Sequence, residues 1–448
     1  MRNTIHLIVL LFPNLLLGQV TFEKVIGGNV RHLNYTITEN DQGDFLVSGF
    51  RDNITGNYLY LMKISSQGDS LWQKQYCGRF GRSIIQLDDG GYVIGASSWC
   101  GSPDEEFLLV RTDSLGDTLW TAYNTIGGSD ELYCMCRLKG GDYFMAGFES
   151  LARADSNGVF KWTKSYYGDL WDCAATYDSG YVVVGWNGAF NENYRLYKYD
   201  KNDSLLWVKK YIGPGGGEYF LRVKELADSS IYVIGNGNLR KMRFSANGDS
   251  LGTWVPYPGL AFDTTSNGRM VFLARLAIAG PPLHTDFLLM LTDSANNLIW
   301  SRTFGGPGFE TAYDVRTCAD GGFVMTGIWD DDAGIGNPNP QVYVVKTDSM
   351  GYVLSSNIGN LQHMRSGLML YPNPATETST MLIEHFQQSR APYQAKLYDM
   401  QGRLIQTVEN IVSNEQSLSL QTIEKGLYLL ILNDRHGALY HSIKLMKE

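Results

Sequence analysis

The sequence predicts an all-β protein: a seven-bladed β-propeller followed by a small immunoglobulin-like β-sandwich. Three observations carry this. A unit of short apolar runs separated by Gly- and Asp-rich turns recurs seven times, and those turn residues tolerate positive φ or bond their own backbone. Its period of roughly 40–50 residues is that of a four-stranded propeller blade. Beyond residue 359 the unit stops and a different pattern of short alternating strands begins.

Residues 88–128 show the unit in full. Residues 92–96 are an apolar run behind an Asp-Gly-Gly turn, residues 107–110 are a second run, and residues 113–117 are a turn. Leu119 and Trp120 open a third run that ends at Gly127 and Gly128. Aligned on the first apolar residue after the turn, the copies start at Phe45, Tyr92, Tyr143, Tyr181, Ile231, Met270 and Phe323. Four residues on, each has a small side chain: Gly49, Ala96, Gly147, Gly185, Gly235, Ala274 and Gly327. A small residue there lets a neighbouring backbone approach.

In the second half of the unit, Trp72, Trp120, Trp162, Trp207 and Trp300 share one position, which Gly252 and Ser355 take in two copies. Each Trp buries about 200 Å² between layers. Because they repeat with the unit, they read as core packing and not as an aromatic box for a cofactor. One more strand lies upstream of each Gly-rich turn, as at residues 131–138 and 311–318, which makes four strands per unit. Radial packing of such sheets protects their edges. Residues 21–26, followed by Gly27 and Gly28, read as an orphan fourth strand. It is expected to pair into the seventh unit, whose own fourth strand is the weakest, and so to latch the ring.

Charge and cysteine content narrow the function classes. Net charge is −9 with a pI near 5.4 and no long basic run, which argues against a nucleic-acid partner. Residues 1–19 read as a signal peptide: Arg2 precedes an apolar stretch at 5–17 that is too short to span a bilayer. The mature chain is expected to start at Gln19 or Val20. No Cys follows the apolar stretch, so a lipoprotein anchor has no support, and no other stretch reads as a transmembrane segment. Export permits disulfides, and Cys77 and Cys100 are expected on one face, close enough to pair. Cys134 and Cys136 have a poor structural-zinc spacing.

After a polar linker at 360–367, Pro372 and Pro374 enforce an extended start that resists helix. Six short strands follow within residues 380–444. The domains read as signal peptide 1–19, propeller 20–359, linker 360–367 and β-sandwich 368–448.

The blade pattern resembles the propeller repeats of exported proteins from Bacteroidetes-type bacteria and, more distantly, quinoprotein blades and Asp-box hairpins. The spacing of Asp113, Gly116 and Trp120 departs from the Asp-box. The C-terminal module resembles the type A sorting domain of type IX secretion cargo. The matching residues are Tyr371, Pro372, Asn373 and Pro374, then residues 397–403 with Asp399 and Gly402, then Lys425, Gly426 and Tyr428 with Leu427 between them. This resemblance implies passage through the periplasm, translocation by the type IX machinery, and removal of the tail by a sortase-like peptidase. The product would then be secreted or attached at the outer-membrane surface.

No local catalytic motif is visible. The variable loops between second and third strands place Trp99, Trp186 and Trp329 where they could stack on a flat ligand. Asp330, Asp331 and Asp332 offer oxygen ligands for calcium but lack the alternating spacing of a calcium loop; no other cofactor is expected. Gly215, Gly216 and Gly217 lack the Lys of a phosphate loop. The leading expectation is a non-enzymatic binding or adhesion protein for an extracellular polysaccharide or protein. The alternatives are an exported carbohydrate-active enzyme, a hydrolase or lyase, and a structural spacer. Converging charged side chains in a central pocket would favour the enzyme, and aromatic surfaces without them would favour binding.

Overall fold

A computed structural model describes residues 19–447 apart from residues 28–30, 54–55, 99–104, 125–129, 187–193, 212–219, 236–240, 255–258, 279–283, 307, 331–339, 354–367, 372, 374, 384–390, 400–402, 434 and 436–438. The described residues form strands and turns without a helix, in two compact units, Met1–Ser355 and Ser356–Glu448. The expected signal peptide at 1–19 lies outside the described residues except for Gln19.

In the first unit, antiparallel four-stranded sheets repeat. The seven aligned residues of the sequence unit each open a second strand: Phe45–Asn53, Tyr92–Ser98, Tyr143–Ala154, Tyr181–Trp186, Ile231–Gly235, Met270–Ile278 and Phe323–Trp329. The cause is local. In the turn before Tyr92, Gly90 sits at φ 81° and donates its N–H to the Leu87 carbonyl, which reverses the chain and delivers Tyr92 to the interior. The inner strands are Arg31–Glu39, Arg79–Gln86, Leu132–Arg137, the second half of Phe160–Ala175, Phe220–Glu225, Ala261–Thr264 and Thr311–Thr317. Each packs against the next, and Thr311–Thr317 packs against Arg31–Glu39. The seven therefore close a ring around a central channel, a seven-bladed propeller, numbered here as blades 1–7 by these strands.

Blades 3 and 4 depart from the expected plan of separate sheets. They share one six-stranded sheet. Blade 3 has no loop between its second and third strands, which run together as Tyr143–Ala154 with Glu149 at φ 51° between the halves. Phe160–Ala175 likewise carries blade 3 directly into blade 4. The absent loops explain why Tyr143 and Tyr181 are the closest-spaced pair of aligned residues.

Two contacts repeat around the ring. The first is an ion pair inside six blades, from a third-strand base to an Asp ahead of the second strand: Lys63 to Asp44 at 3.0 Å, Arg111 to Asp89, Arg153 to Asp142 at 2.7 Å, Lys198 to Asp178 at 2.7 Å, Arg243 to Asp228, and Lys346 to Asp320 at 2.8 Å. Blade 6 has Leu291 at the basic position.

The second contact joins neighbouring blades. Trp72, Trp120 and Trp300 lie flat on the turn glycines Gly116, Gly158 and Gly351 of the blade that follows, all at φ between 77° and 82°. A Cβ on these glycines would come within 2.6–2.9 Å of the indole, so both the positive φ and the missing side chain are needed. Trp207 covers Gly248 in the same way. In blade 4 the turn residue is Asp203, at φ 66°, and its carboxylate accepts the Trp162 indole N–H at 2.8 Å.

The N-terminal strand completes the set. Phe22–Ile26 pairs antiparallel with Gln341–Thr347 as the fourth strand of blade 7. Phe22 stands opposite Lys346, as Trp72 stands opposite Lys63, and covers Gly68 of blade 1 at φ 86°. It is 5% exposed and meets Phe45 edge-on at 5.7 Å. Gln19 anchors the strand's start by bonding Asp320 O and the N–H of Ser349.

The C-terminal unit is a two-sheet sandwich. Leu368–Tyr371, Thr378–Ile383 and Glu415–Ser419 form one sheet, and Leu404–Ile411, Tyr393–Asp399, Gly426–Asn433 and Leu439–Lys447 form the other. Leu370, Met381, Leu397, Ile411, Leu418 and Leu430 belong to one core shared by both sheets.

Replacing the closing aromatic tests the latch. Phe22→Ala removes a buried ring from the seam between blades 7 and 1, and should cost about 3–5 kcal/mol. Denaturant unfolding followed by Trp fluorescence should show the whole propeller transition shifting. An unchanged midpoint would show that the seam does not depend on Phe22.

Candidate functional site

Six of the seven inner strands carry a β-bulge or register irregularity at an equivalent place; Ala261–Thr264 of blade 6 pairs without one. Register slips occur between Asn34 and Thr36, Arg79 and Ser83, Leu132 and Cys134, Leu170 and Asp172, Phe220 and Arg222, and Ala312 and Asp314. The extra residue re-aims a side chain, as bulges do at barrel rims. The bulge also explains the small residue of the sequence unit. In blades 1, 3, 4 and 7 a Cβ on Gly49, Gly147, Gly185 or Gly327 would strike the carbonyl oxygen two residues before the bulge, on Leu33, Glu131, Asp169 or Thr311. Bulge and glycine form one device.

The residues at this position are Tyr35, Arg82, Tyr133, Trp171, Leu221, Leu260 and Tyr313. Five of them form a chain of contacts around the axis. Tyr313 meets Tyr35 edge-on at 5.3 Å, the Arg82 guanidinium lies 4.0 Å over Tyr35 and 5.7 Å from Tyr133, and Tyr133 stacks on Trp171 at 4.7 Å. Phe80 and Arg79 extend this collar toward Phe50. Burial pushes the Tyr35 phenol up to about 12, so it stays a hydrogen-bond donor.

Two carboxyls flank the Tyr133–Trp171 stack. Glu131 accepts from Arg82 at 2.6 Å. Asp169 is pushed above the usual carboxylate range by burial, then by Glu149 and Glu131, and its Oδ1 has no hydrogen-bond partner among the described residues. Trp186, half-buried, is the register partner of Asp169.

Below the collar the inner strands turn charged side chains inward. Asp172, Arg222, Lys224, Asp263, Asp314 and Arg316 come from blades 4 to 7. Burial raises Asp172 to about 6, against the pull of Arg222 and the Val223 N–H. Burial also works against ionising Asp263, but Lys224 and Arg316 hold it below its ordinary value. Asp314 first, then Asp263 and Asp172, keep Arg316 charged. Some of these groups also stitch blades together: Asp314 accepts the Ile37 N–H at 3.2 Å, and Asp172 accepts the Val223 N–H at 2.8 Å.

A third polar cluster lies at the seam closed by the N-terminal strand. Glu23 accepts from the Tyr343 hydroxyl, and Glu310 accepts the Gly306 N–H at 3.2 Å. A Cβ on Gly305 would fall 2.5 Å from Asp286 Oδ1 and 3.0 Å from Glu310 Oε2, so these two oxygens converge. Neither has a hydrogen-bond partner among the described residues. Burial, then Asp286, raises Glu310 to about 8. Burial raises Asp286 to about 6, against the pull of His284. Burial, partly offset by the Tyr343 bond, also raises Glu23.

Trp329 covers Gly306 and meets Tyr343 edge-on at 5.2 Å, half-buried beside this cluster. Asp330 accepts the Phe309 N–H through its backbone carbonyl at 2.7 Å. Trp99, Asp331 and Asp332 lie outside the described residues. Among the described residues no group of three or more His, Cys, Asp or Glu is arranged to hold a metal ion. Cys77 is disulfide-bonded; its expected partner, Cys100, lies outside the described residues.

Sequence reading missed the collar, although a signal was present. Each collar residue lies ten positions before the aligned residue of its unit, from Tyr35 and Phe45 to Tyr313 and Phe323. The bulge hid it, because it breaks the period-two alternation that assigns faces.

In the C-terminal unit, the motif residues make structural bonds. Asn373 Oδ1 accepts the Met446 N–H at 2.9 Å, tying the Pro-flanked start to the last strand. The Asp399 carboxylate accepts from the Arg403 N–H at 2.9 Å and from Arg403 Nε at 2.6 Å, closing the hairpin. The Tyr428 hydroxyl donates to Glu424 O at 2.7 Å. Lys425 and Gly426 are exposed; Pro372, Pro374 and Gly402 lie outside the described residues. Tyr371 is half-exposed, with its hydroxyl 3.4 Å from Glu415. Residues 369–447 match the family described as Secretion system C-terminal sorting domain.

This unit is a type IX secretion sorting domain. The sorting domain supports export to the cell surface or secretion. Among curated proteins none matches the chain. Among solved structures, a protein of unknown function from Bacteroides caccae superposes with a TM-score of 0.41 at 14% identity, over 58% of this chain and 91% of that one. PorZ, a surface component of the type IX secretion system of Porphyromonas gingivalis, superposes at 0.43 and 10% identity, over 92% and 59%. A catalytically inactive virginiamycin B lyase from Staphylococcus aureus, with quinupristin, superposes at 0.47 and 10%, over 72% and 98%. At these scores the superpositions carry no argument about activity. No described helix is long and apolar enough to cross a membrane.

The seam carboxyls make stability depend on pH. A folded pKa above the unfolded one means that the native state holds protons the unfolded chain releases, so their contribution is lost as pH rises. For Glu310 the window runs from about 4.5 to about 8. Glu310→Gln should therefore raise the melting temperature at pH 8 by a few degrees, with the gain vanishing toward pH 4.5. An equal effect at both pH values would show that Glu310 is ionised throughout.

Proposed function

We propose that this is a secreted or cell-surface protein that binds an extracellular glycan through the aromatic–arginine collar at the mouth of its channel, without turning it over. The single observation supporting this is the bulge position, which gathers Tyr35, Arg82, Tyr133, Trp171 and Tyr313 at one level of the axis. Aromatic faces offer apolar area at low entropic cost, and Arg and Tyr supply directed donors. Trp186 and Trp329 extend the same kind of surface outward on blades 4 and 7. The type IX machinery delivers the protein, and a sortase-like peptidase removes the sorting domain.

One observation favours a second reading, glycoside hydrolysis. Glu131, ion-paired with Arg82, and Asp169, whose pKa burial raises, flank the stacked pair. A pair of carboxyls, one of them with a raised pKa, is the usual acid and base of that reaction.

The test uses a host with type IX machinery. The full chain should reach the surface and bind members of a glycan array, and a chain lacking residues 360–448 should stay inside. Trp171→Ala and Arg82→Ala should each weaken binding about tenfold or more, on the scale of a lost hot-spot residue. A silent array, or binding indifferent to both changes, would refute the collar. Release of new reducing ends, abolished by Asp169→Asn, would replace binding with hydrolysis.

A further inference from the structure

The seam between blades 3 and 4 is built differently from its neighbours. At three other seams, the residue just after the bulge reaches the inner strand of the next blade through a hydrogen bond. Ser83 accepts the Met135 N–H at 3.1 Å, Asp172 accepts the Val223 N–H at 2.8 Å, and Asp314 accepts the Ile37 N–H at 3.2 Å. In blade 3 that residue is Cys134, and the facing residue of blade 4 is Cys173. Cys134 is 3% and Cys173 7% exposed, and both sit in one apolar cluster with half-buried Cys136 packed against it. The Cys173 thiol interacts with the thiols of both Cys134 and Cys136. All three are free in the structure, as is the distant Cys318. The group is not arranged to hold a metal. Its chemistry is that of sulfur with sulfur.

We propose that Cys134 and Cys173 are a disulfide site that covalently staples blade 3 to blade 4, with Cys136 as the thiol through which oxidation enters. Two facts point to oxidation. Cys77 is already disulfide-bonded, and the sorting domain supports a destination at the cell surface or in the medium, where disulfides persist.

The order follows from burial. Burial disfavours the thiolate at Cys134 and Cys173, and thiolate is the attacking species. Half-buried Cys136 attacks one sulfur of a low-molecular-weight disulfide, forming a mixed disulfide and releasing one thiol. Cys173 then attacks the Cys136 sulfur and releases the second thiol. Cys134 next attacks the Cys173 sulfur, leaving Cys134 bonded to Cys173 and Cys136 free again. Two protein thiols lose two protons and two electrons, and one oxidant disulfide becomes two thiols.

The test treats the folded full chain with oxidised glutathione, quenches with acid, alkylates free thiols in denaturant, and maps non-reduced peptides by mass spectrometry. The expected product joins the peptides of Cys134 and Cys173, with Cys136 and Cys318 alkylated. Cys173→Ser should abolish the cross-link, and Cys136→Ser should slow its formation about tenfold without preventing it. Should Cys173→Ser misfold, the wild-type map and the Cys136→Ser rate carry the test. Four alkylated thiols at Cys134, Cys136, Cys173 and Cys318 would overturn the proposal. A final bond from Cys173 to Cys136 would overturn the assignment of Cys134 as partner.

Discussion

Everything in the propeller rests on the pairing of Phe22–Ile26 with Gln341–Thr347. A ring of sheets has no edge only when its last blade is complete, and an exposed edge strand is an opening for fraying or wrong pairing. Here the missing fourth strand of the last blade comes from the other end of the chain. The contact is the one used elsewhere in the ring, an aromatic ring flat on a positive-φ turn glycine, with Phe22 on Gly68 in the role of Trp300 on Gly351. Segments more than 300 residues apart in sequence are thereby joined at a seam that also buries Glu23 beside Asp286 and Glu310. Closure gathers poorly ionised carboxyls as well as apolar surface, which is why this seam is sensitive to pH.

Ring closure also gives the collar its geometry. Six of the seven inner strands bring a bulge to the axis at one level, so the chemistry of the channel mouth is set by one residue position per blade. The glycine that makes room for the bulge serves the fold. The residue on the bulge is free to vary, and blades 5 and 6 place Leu221 and Leu260 where the other five place aromatics or arginine. Among the described side chains beneath the collar, three carboxyls, Asp172, Asp263 and Asp314, stand among three bases, Arg222, Lys224 and Arg316.

Much of this architecture was legible in the chain. The turn glycines with their following apolar residue mark every second strand, the repeating Trp marks the blade seams, and the orphan strand at 21–26 takes the place foreseen for it. These signals are local: each depends on a turn type or a side-chain volume that the sequence spells out. The joined sheet of blades 3 and 4 was not legible, because it comes from loops that are absent around Glu149 and Gly168, and a missing loop leaves only a shortened spacing. The collar was hidden for a different reason. One extra residue in each of the strands that carry Tyr133 and Trp171 shifts the inward face, so alternation assigns both to the wrong side. The loop pattern points instead to Trp99, Trp186 and Trp329, of which Trp186 and Trp329 are half-buried at strand ends.

The claim on which the rest depends is that the N-terminal strand is a full member of the ring. Native-state hydrogen exchange on the full chain tests it most directly. Amides of Phe22–Ile26 should exchange as slowly as those of Phe323–Trp329 in the same blade, and with the same denaturant dependence, because both open only when the ring unfolds. Exchange of Phe22–Ile26 at the rate of a frayed terminus, while Phe323–Trp329 stays protected, would contradict the account.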